Sequence, residues 1–322
     1  MAEDPSISVC ICTYNGAERV GLVLEALAAQ TDRSSAWEVL VIDNASRDGT
    51  GGVVLAAFAA HLPERGRIVR EERPGLMHAR RRATDEARGG TIVFLDDDNI
   101  PAPDYIERLR DILRQHPRVG VMGGRVEAEW LGEPTALGKA VANFALAVCD
   151  RGDQAFAYHE VTGGPAGAGM VVSRALLRTI FEEASLAERV TGRDASGFGG
   201  GEDTAIVIRA HQLGYECRYE PSLLVKHRIP ASRTDPAYLL KLYEGIGRGQ
   251  ASMRPLFDPR AKSPVLGVLI ALKEGLRWVG GALRGPSRAL RREHGDQAAG
   301  VHRLQQRQLY GRFRQGLREP FR

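Results

Sequence analysis

The chain has 322 residues, 43% hydrophobic and 26% charged, ordinary proportions for a soluble globular protein with enough length for one large domain or two smaller ones. Its formal charge of +4 hides an asymmetry, because residues 1–259 carry 30 basic and 36 acidic side chains whereas 260–322 carry 14 and 4. A mildly acidic body argues against a nucleic-acid platform, and a basic tail predicts an anionic partner such as phospholipid headgroups or another polyanion.

Met1 to Ser6 lacks the basic start and isolated apolar core of a signal peptide, so a cytoplasmic protein is expected. Apolar runs then alternate with helical patterns, the signature of a βαβ layout with a largely parallel sheet. Strands are predicted at Ile7 to Cys12, Trp37 to Ile42, Arg67 to Arg70 and Thr91 to Leu95, with helices near Glu18 to Gln30, Thr50 to Ala60 and Met77 to Ala87. Each strand ends in polar residues: Thr13-Tyr14-Asn15-Gly16, Asp43-Asn44-Ala45-Ser46, Glu71 to Gly75, and Asp96-Asp97-Asp98. Open α/β sheets bind ligands at such carboxyl ends, so a site is expected there. Asp43 can accept hydrogen bonds from a ribose or a base edge, or form an Asx-turn that caps the next helix. Cys10, Cys12, Cys149 and Cys217 show neither CxxC nor zinc-ligand spacing and are expected to be buried thiols.

The segment TIVFLDDDNIP at Thr91 to Pro101 is the most informative. A buried strand that ends in three aspartates crowds like charges together unless a cation neutralises them. Hard divalent ions such as Mg2+ or Mn2+ take carboxylate oxygens and share them with substrate phosphates. The alternative is a solvated strand end or a capping cluster ahead of a helix from Asp104 to His116.

Beyond residue 115 the alternation weakens. A strand is expected at Gly120 to Glu129, a helix around Ala136 to Val148, and a glycine-rich turn, Gly163 to Gly169, that leads into Met170-Val171-Val172 and a helix from Arg174. Glycines from Gly192 to Gly200 precede Glu202-Asp203 and a helix from Thr204 to Leu213. Mobile glycines before two acids suggest a loop that closes over a ligand and delivers a general base, although acids at a helix start are also favoured by the dipole alone. His227 follows the apolar run Leu223 to Val225 and is a competent ligand for Mn2+ or Mg2+. Gly245-Ile246-Gly247-Arg248-Gly249 follows a helical pattern, Tyr238 to Glu244, and is therefore no Rossmann phosphate loop. From Ser263, the residues Val265, Val268, Leu269, Leu272, Leu276, Val279 and Leu283 share one helical face, with Lys273, Glu274 and Arg277 elsewhere on the wheel. Such a helix, followed by Arg284, Arg288, Arg291 and Arg292, is too charged to span a bilayer; it can lie in a membrane interface or pack on the body with its basic face in water.

Taken together, SVCICTYNGAERV, VLVIDNASRDGT, RPGLMHARRRA, FLDDDNIPAPDYI, GAGMVVSR and GGED resemble the inverting family 2 glycosyltransferases with the GT-A fold, over residues 6 to 255. The longer stretches GPAGAGMVVSRALL and HRIPASRTDPAYLLKLYEGIGRG are similar to the bacterial hormogonium polysaccharide branch. The resemblance implies an α/β, Rossmann-like and mostly parallel central sheet flanked by helices. Residues 1–115 would be the nucleotide-sugar half of the GT-A domain, 116–255 the acceptor and catalytic half, and 256–322 a basic amphipathic helical tail.

Position by position, it implies that Thr13, Tyr14 and Asn15 line the nucleotide pocket, that Asp43 binds the uracil or ribose side, and that Arg80 lies near the diphosphate. Asp96 and Asp98 match the two acids of the DxD motif, Asp98 as metal ligand and Asp96 nearer the ribose or sugar, with Asp97 between them in the donor site. Asp203 would be the base, Glu202 its neighbour, and His227 the second protein ligand of Mn2+ or Mg2+. Asn99 stands where other members often carry a fourth aspartate. The implied activity is transfer from a UDP-sugar or another nucleotide diphosphate sugar to a saccharide or lipid-linked hydroxyl in bacterial polysaccharide or glycolipid assembly, and the tail would contact the inner face of the cell membrane. Two rivals are a nucleotidyltransferase, which would need a GxGxR-like loop that TYNGAERV lacks, and a non-catalytic sugar- or membrane-binding scaffold, which would not need these acids.

Overall fold

The computed structural model describes residues 7–159, 164–183, 201–258 and 263–318. In chain order the elements are β1 (Ile7–Thr13), α1 (Val20–Ala28), β2 (Trp37–Asp43), α2 (Thr50–His61), β3 (Gly66–Arg70), α3 (Leu76–Glu86), β4 (Thr91–Leu95), β5 (Asn99–Pro101), α4 (Tyr105–Gln115), β6 (Val119–Leu131), α5 (Ala136–Ala145), β7 (Phe156–Tyr158), β8 (Met170–Ser173), α6 (Arg174–Glu182), α7 (Glu202–Gln212), β9 (Glu216–Pro230), α8 (Pro236–Phe257), α9 (Pro264–Arg284), α10 (Arg288–His294) and α11 (Ala298–Arg318). They form two compact units, one made of Met1–Glu129, Ala147–Leu186 and Ile206–Arg228, the other of Trp130–Leu146, Ala187–Ala205 and Ile229–Arg322. The runs Gly192 to Gly200 and Val161 to Gly163 lie outside the described residues.

The sheet runs β3-β2-β1-β4-β8-β6-β9-β5, with β7 on β9. Its first four strands are parallel, Ile7 facing Trp37 on one side and Thr91 on the other. β1 and β2 are buried on both faces, which is why they read as unbroken apolar runs rather than as alternation. Val9, Ile11, Val39, Val41, Val93 and Leu95 of the strands pack with Val23, Leu24 and Leu27 of α1 and with Ile106 and Leu109 of α4. β8 pairs antiparallel with both β4 and β6, as does β9 with β5 and β7, and this is where the β/α alternation fades in the sequence.

Two local differences from the sequence expectation have physical causes. The helix at Ala136 stops at Ala145 rather than Val148, because Ala147 takes a positive φ of 54° and Cys149 leaves to pair both ways with Val126, at 2.8 and 2.9 Å. The helix expected over Tyr238 to Glu244 runs on to Phe257, through all three glycines of the GIGRG stretch. A Cβ at Gly247 would lie 2.0 Å from the Gln308 carbonyl, and one at Gly311 would lie 2.3 Å from that of Glu244. These glycines let the backbones of α8 and α11 touch, so they are packing residues.

The second unit is helical, and its seams are polar. Buried Glu244 of α8 receives Arg248, Arg307 and Arg314; buried Glu274 of α9 receives Arg254 at 3.1 Å, Arg277 at 3.4 Å and Arg312 at 3.9 Å. Gln250 accepts from Gln308 and Arg312 across the same seam. Part of the tail's positive charge is therefore spent inside the unit. α9 turns Ala271, Glu274 and Gly275 inward, Gly275 against Phe313 of α11, and leaves Val265, Leu269, Leu272, Leu276, Val279 and Leu283 exposed. The apolar face is therefore not the one that packs, which departs from a helix packed on the body with only its basic face in water.

All four cysteines are free, and burial pushes each thiol pKa up, to about 12 for Cys12 and for Cys217. A folded chain that holds these protons loses their stabilising contribution as pH rises above about 9, where the unfolded chain releases them. A thiol-reactive disulfide dye at pH 8 is expected to leave buried Cys10, Cys149 and Cys217 unlabelled in native protein and to label all four in denaturant; fast native labelling of Cys10 would show that β1 is not buried as described.

Candidate donor site

In the order β3-β2-β1-β4 the direction of sheet growth reverses between β1 and β4, which is the switch point where α/β sheets open a crevice at their carboxyl ends. Thr13 closes β1 there, and Asp96 to Asp98 follow β4. The middle aspartate ties the two together. Asp97 accepts from Thr13 Oγ1 at 2.6 Å and, in a two-pronged contact, from Arg19 Nε at 2.9 Å and Nη2 at 2.8 Å. The hydrogen bond to Asp97 is the main reason the Arg19 guanidinium is held above its ordinary pKa; burial opposes it, and the charges of Asp97, Asp98 and Asp48 add to it. Gly16 makes room for this clamp, since a Cβ would lie 2.1 Å from Thr13 Oγ1 and 2.4 Å from Asp97 Oδ2. Arg19 and Gly16 carry no recognisable spacing signal, and sequence reasoning gave neither a role.

The loop after β1 is pinned to the loop after β2. Asn15, at a positive φ of 49°, donates its N–H to Ser46 Oγ at 3.0 Å and accepts Arg47 N–H on its side chain at 2.9 Å, while Gly16 N–H donates to Thr50 Oγ1 at 2.9 Å. Tyr14 projects outward and is 55% exposed, leaving its ring open to a ligand. Asp43, at the end of β2, is buried; it accepts Ser46 N–H at 2.9 Å, the local turn that the sequence allowed, and Arg70 Nη1 from β3 at 3.1 Å. Asn44 holds the next loop by accepting Gly75 N–H at 2.8 Å and donating to the Arg73 carbonyl at 2.7 Å. Arg70 and Asn44 are further site-edge residues that the sequence left unassigned. Arg80 of α3 is buried, with its guanidinium 5.0 Å above the Phe94 ring of β4.

Asp98 and His227 meet through a strand too short to read from sequence. β5, three residues long, pairs antiparallel with β9 so that Asn99 faces His227, and Arg228 N–H donates to the Asp98 carbonyl at 2.9 Å. Asn99, fully buried, donates from Nδ2 to Asp98 Oδ1 at 3.1 Å and accepts Asp96 N–H at 3.2 Å. The other oxygen, Asp98 Oδ2, stands 3.6 Å from His227 Nε2, with both side chains buried. That is beyond hydrogen-bond length. It is a separation that two donors of one small cation, each at roughly 2 Å, can span. A carboxylate with an imidazole suits Mn2+ or Mg2+, with the remaining positions left to phosphate and water oxygens. Among the described residues no group of three or more His, Cys, Asp or Glu is gathered to hold a metal by protein donors alone.

Glu202 and Asp203 belong to the second unit and open α7, with Glu202 buried. Gly201 before them has a φ of 112°, and a Cβ there would press on Met253 of α8 at 2.7 Å. The acids thus start a helix directly after a glycine packed against α8.

Because Gly16 and Arg19 serve the same clamp, Gly16→Ala is expected to cost about 1–3 kcal/mol in urea denaturation. Arg19→Ala should be destabilising as well, and the double variant should lose less than the two costs added together. Full additivity would mean that the two side chains do not act on one carboxylate.

Residues 8–181 match the family described as glycosyl transferase family 2. Glycosyltransferase AglE of Haloferax volcanii is 33% identical over 132 residues, 41% of this chain and 43% of that protein. The succinoglycan biosynthesis protein ExoM of Rhizobium meliloti is 25% identical over 238 residues, 73% of this chain and 71% of that one. This chain spans less than half the length of AglE, and 41% of an uncharacterized glycosyltransferase of Haemophilus influenzae that is 26% identical. The solved mannosyltransferase PcManGT of Pyrobaculum calidifontis, in complex with GDP-Man and Mn2+, superposes with a TM-score of 0.58 over 98% of this chain and 88% of its own, at 20% identity, a likeness of fold. With the parallel sheet, its switch point and the match over more than half of its length, the chain belongs to glycosyl transferase family 2 and has the GT-A fold.

Proposed function

We propose that this glycosyltransferase is a metal-dependent inverting enzyme that transfers a sugar from a nucleotide diphosphate sugar, UDP being the carrier, to a hydroxyl of a saccharide or lipid-linked acceptor in bacterial polysaccharide or glycolipid assembly, in the hormogonium polysaccharide branch of the family. The observation that carries the reading is the buried Asp98–His227 pair, 3.6 Å apart, where the aspartate run that follows β4 meets β9. Residues 1–115 would supply the donor half, 116–255 the acceptor half and 256–322 a peripheral tail, with the protein working in the cytoplasm at the inner membrane face. That no described helix is long and apolar enough to cross a membrane is compatible with such a place.

In this reading Thr13, Tyr14 and Asn15 border the nucleotide, and Tyr14 offers it a ring face. Asp43, with Ser46 and Arg70 on its two oxygens, presents a fixed carboxylate to the base or ribose. Asp96 faces the ribose or sugar, Arg80 the diphosphate, and Asp98 with His227 would hold Mn2+ or Mg2+ as the DxD acid and its partner. Asp97, placed in the donor site by sequence, serves it by holding Thr13 and Arg19 in register. When bound, the divalent ion offsets charge on the departing diphosphate. Asp203, with Glu202 beside it, takes the proton of the acceptor hydroxyl as that oxygen attacks the anomeric carbon from the side opposite the leaving group, which inverts the centre. General-base assistance of this kind is worth about 100- to 10,000-fold.

Calorimetric titration of UDP should show binding with Mn2+ that EDTA abolishes and that Asp98→Ala weakens by at least about tenfold. Asp203→Asn should leave that binding intact and lower turnover of the matching UDP-sugar by about 100- to 10,000-fold. UDP binding that ignores both EDTA and Asp98→Ala would remove the metal from the account; tight binding of GDP in its place would change the carrier only.

A further inference from the structure

The second unit exposes an apolar surface that its own packing does not explain. Along α9, Val265, Leu269, Leu272, Leu276, Val279 and Leu283 follow the i, i+4, i+7 spacing of one helical face, and Val265, Leu276 and Leu283 are 70%, 74% and 82% exposed. The opposite face is already taken. Ala271 and Glu274 are buried, Gly275 lies on Phe313, and a Cβ at Gly281 would meet Gln306 at 2.3 Å, so α11 occupies that side. A folded chain does not ordinarily leave six aliphatic side chains in one unbroken row against water.

The charges along the row point to its occupant. Lys273, Arg277 and Arg284 are exposed and fall together on one flank of the stripe, about 80–120° round the helix from its centre. The other flank carries Val268, Gly275 and Ala282 and no charge. The sole acid of α9, Glu274, is buried on the far side among Arg254, Arg277 and Arg312, so no carboxylate of α9 faces outward beside the stripe. α10 follows directly with exposed Arg291 and Arg292. An apolar row edged by long cationic side chains, with no carboxylate on the helix's outer face, matches an anionic lipid surface: aliphatic groups enter the acyl boundary while lysine and arginine reach back to the headgroup phosphates. α9 does not qualify as a span.

We propose that α9 is a monotopic docking helix that lays its Val265–Leu283 stripe into an anionic phospholipid surface, with Lys273, Arg277 and Arg284 on the headgroups. The proposal rests on the peripheral-membrane part of the reading above and is independent of the transfer chemistry. It assigns attachment to one row of one helix rather than to the basic tail at large, because Arg307, Arg312 and Arg314 of α11 are already engaged by Glu244, Glu274 and Gln250.

Removing the whole tail would also remove α11 from α8, so the test uses point variants of the full chain. Wild-type protein is expected to co-sediment with vesicles of phosphatidylethanolamine and phosphatidylglycerol, and less with vesicles of phosphatidylcholine alone. Leu276→Glu with Leu283→Glu, at the two most exposed positions, should lower partitioning at least about tenfold. Lys273→Gln with Arg284→Gln should remove the preference for phosphatidylglycerol and leave the weaker binding to phosphatidylcholine. Circular dichroism and the UDP titration should be unchanged in both, so a failed nucleotide site and a failed docking helix give different results. Vesicle binding of the leucine variant equal to wild type would overturn the proposal. So would a stripe whose loss leaves vesicle binding untouched but turns a dimer into a monomer by analytical ultracentrifugation, which would assign the row to a second copy of the chain.

Discussion

Three carboxylates on consecutive residues repel one another, and the carboxyl end of this sheet is organised by how that repulsion is relieved. Asp97 is given the Thr13 hydroxyl and both prongs of Arg19. Asp98 is given the Asn99 amide on one oxygen and faces His227 with the other. The two solutions use different parts of the chain, β1 and the residue before α1 for one, β9 for the other. Charge relief therefore doubles as architecture: neutralising Asp97 fixes β1 against β4, and pairing β5 with β9 delivers an imidazole to Asp98. A buried anion left without such partners would be strongly destabilising, so the acids cannot be present without the contacts that aim them.

The parallel half of the sheet was legible because buried strands read as apolar runs and each ends in turn-forming polar residues; Thr91 to Leu95 falls where the sequence places it. In the antiparallel half the strand expected at Gly120 to Glu129 is present as β6, but β5 and the pairing order were not legible. A three-residue strand such as β5 has no period to detect, and the register that sets Asn99 against His227 is a tertiary fact. His227 could be picked out by chemistry and family resemblance, but its contact with Asp98 could not. Arg19 and Gly16 were invisible for another reason, since a hydrogen bond across 78 residues and a glycine needed for space leave no local mark. Gly247 in the GIGRG stretch shows the converse: the central glycine of a conspicuous motif is there for close contact between two helix backbones.

The C-terminal unit inverts a common expectation about amphipathic helices. An apolar stripe normally faces the core because burying it is the main source of helix stability in a protein. Here α9 is held by small residues and a buried carboxylate among arginines, and the stripe is left outside. The basic excess of residues 260–322 accordingly divides in two, with Arg307, Arg312 and Arg314 of α11 paired to the buried carboxylates of Glu244 and Glu274, and Lys273, Arg284, Arg291 and Arg292 exposed along α9 and α10. Composition shows the total charge but not this division, which depends on which helix face meets α11.

The most direct measurement for the donor site is an anomalous difference map from crystals grown with UDP and Mn2+. The account predicts a manganese peak within bonding distance of both Asp98 and His227, with the uracil or ribose beside Asp43. Nucleotide bound at the same strand ends with no manganese between Asp98 and His227, or bound away from the end of β4 altogether, would contradict it.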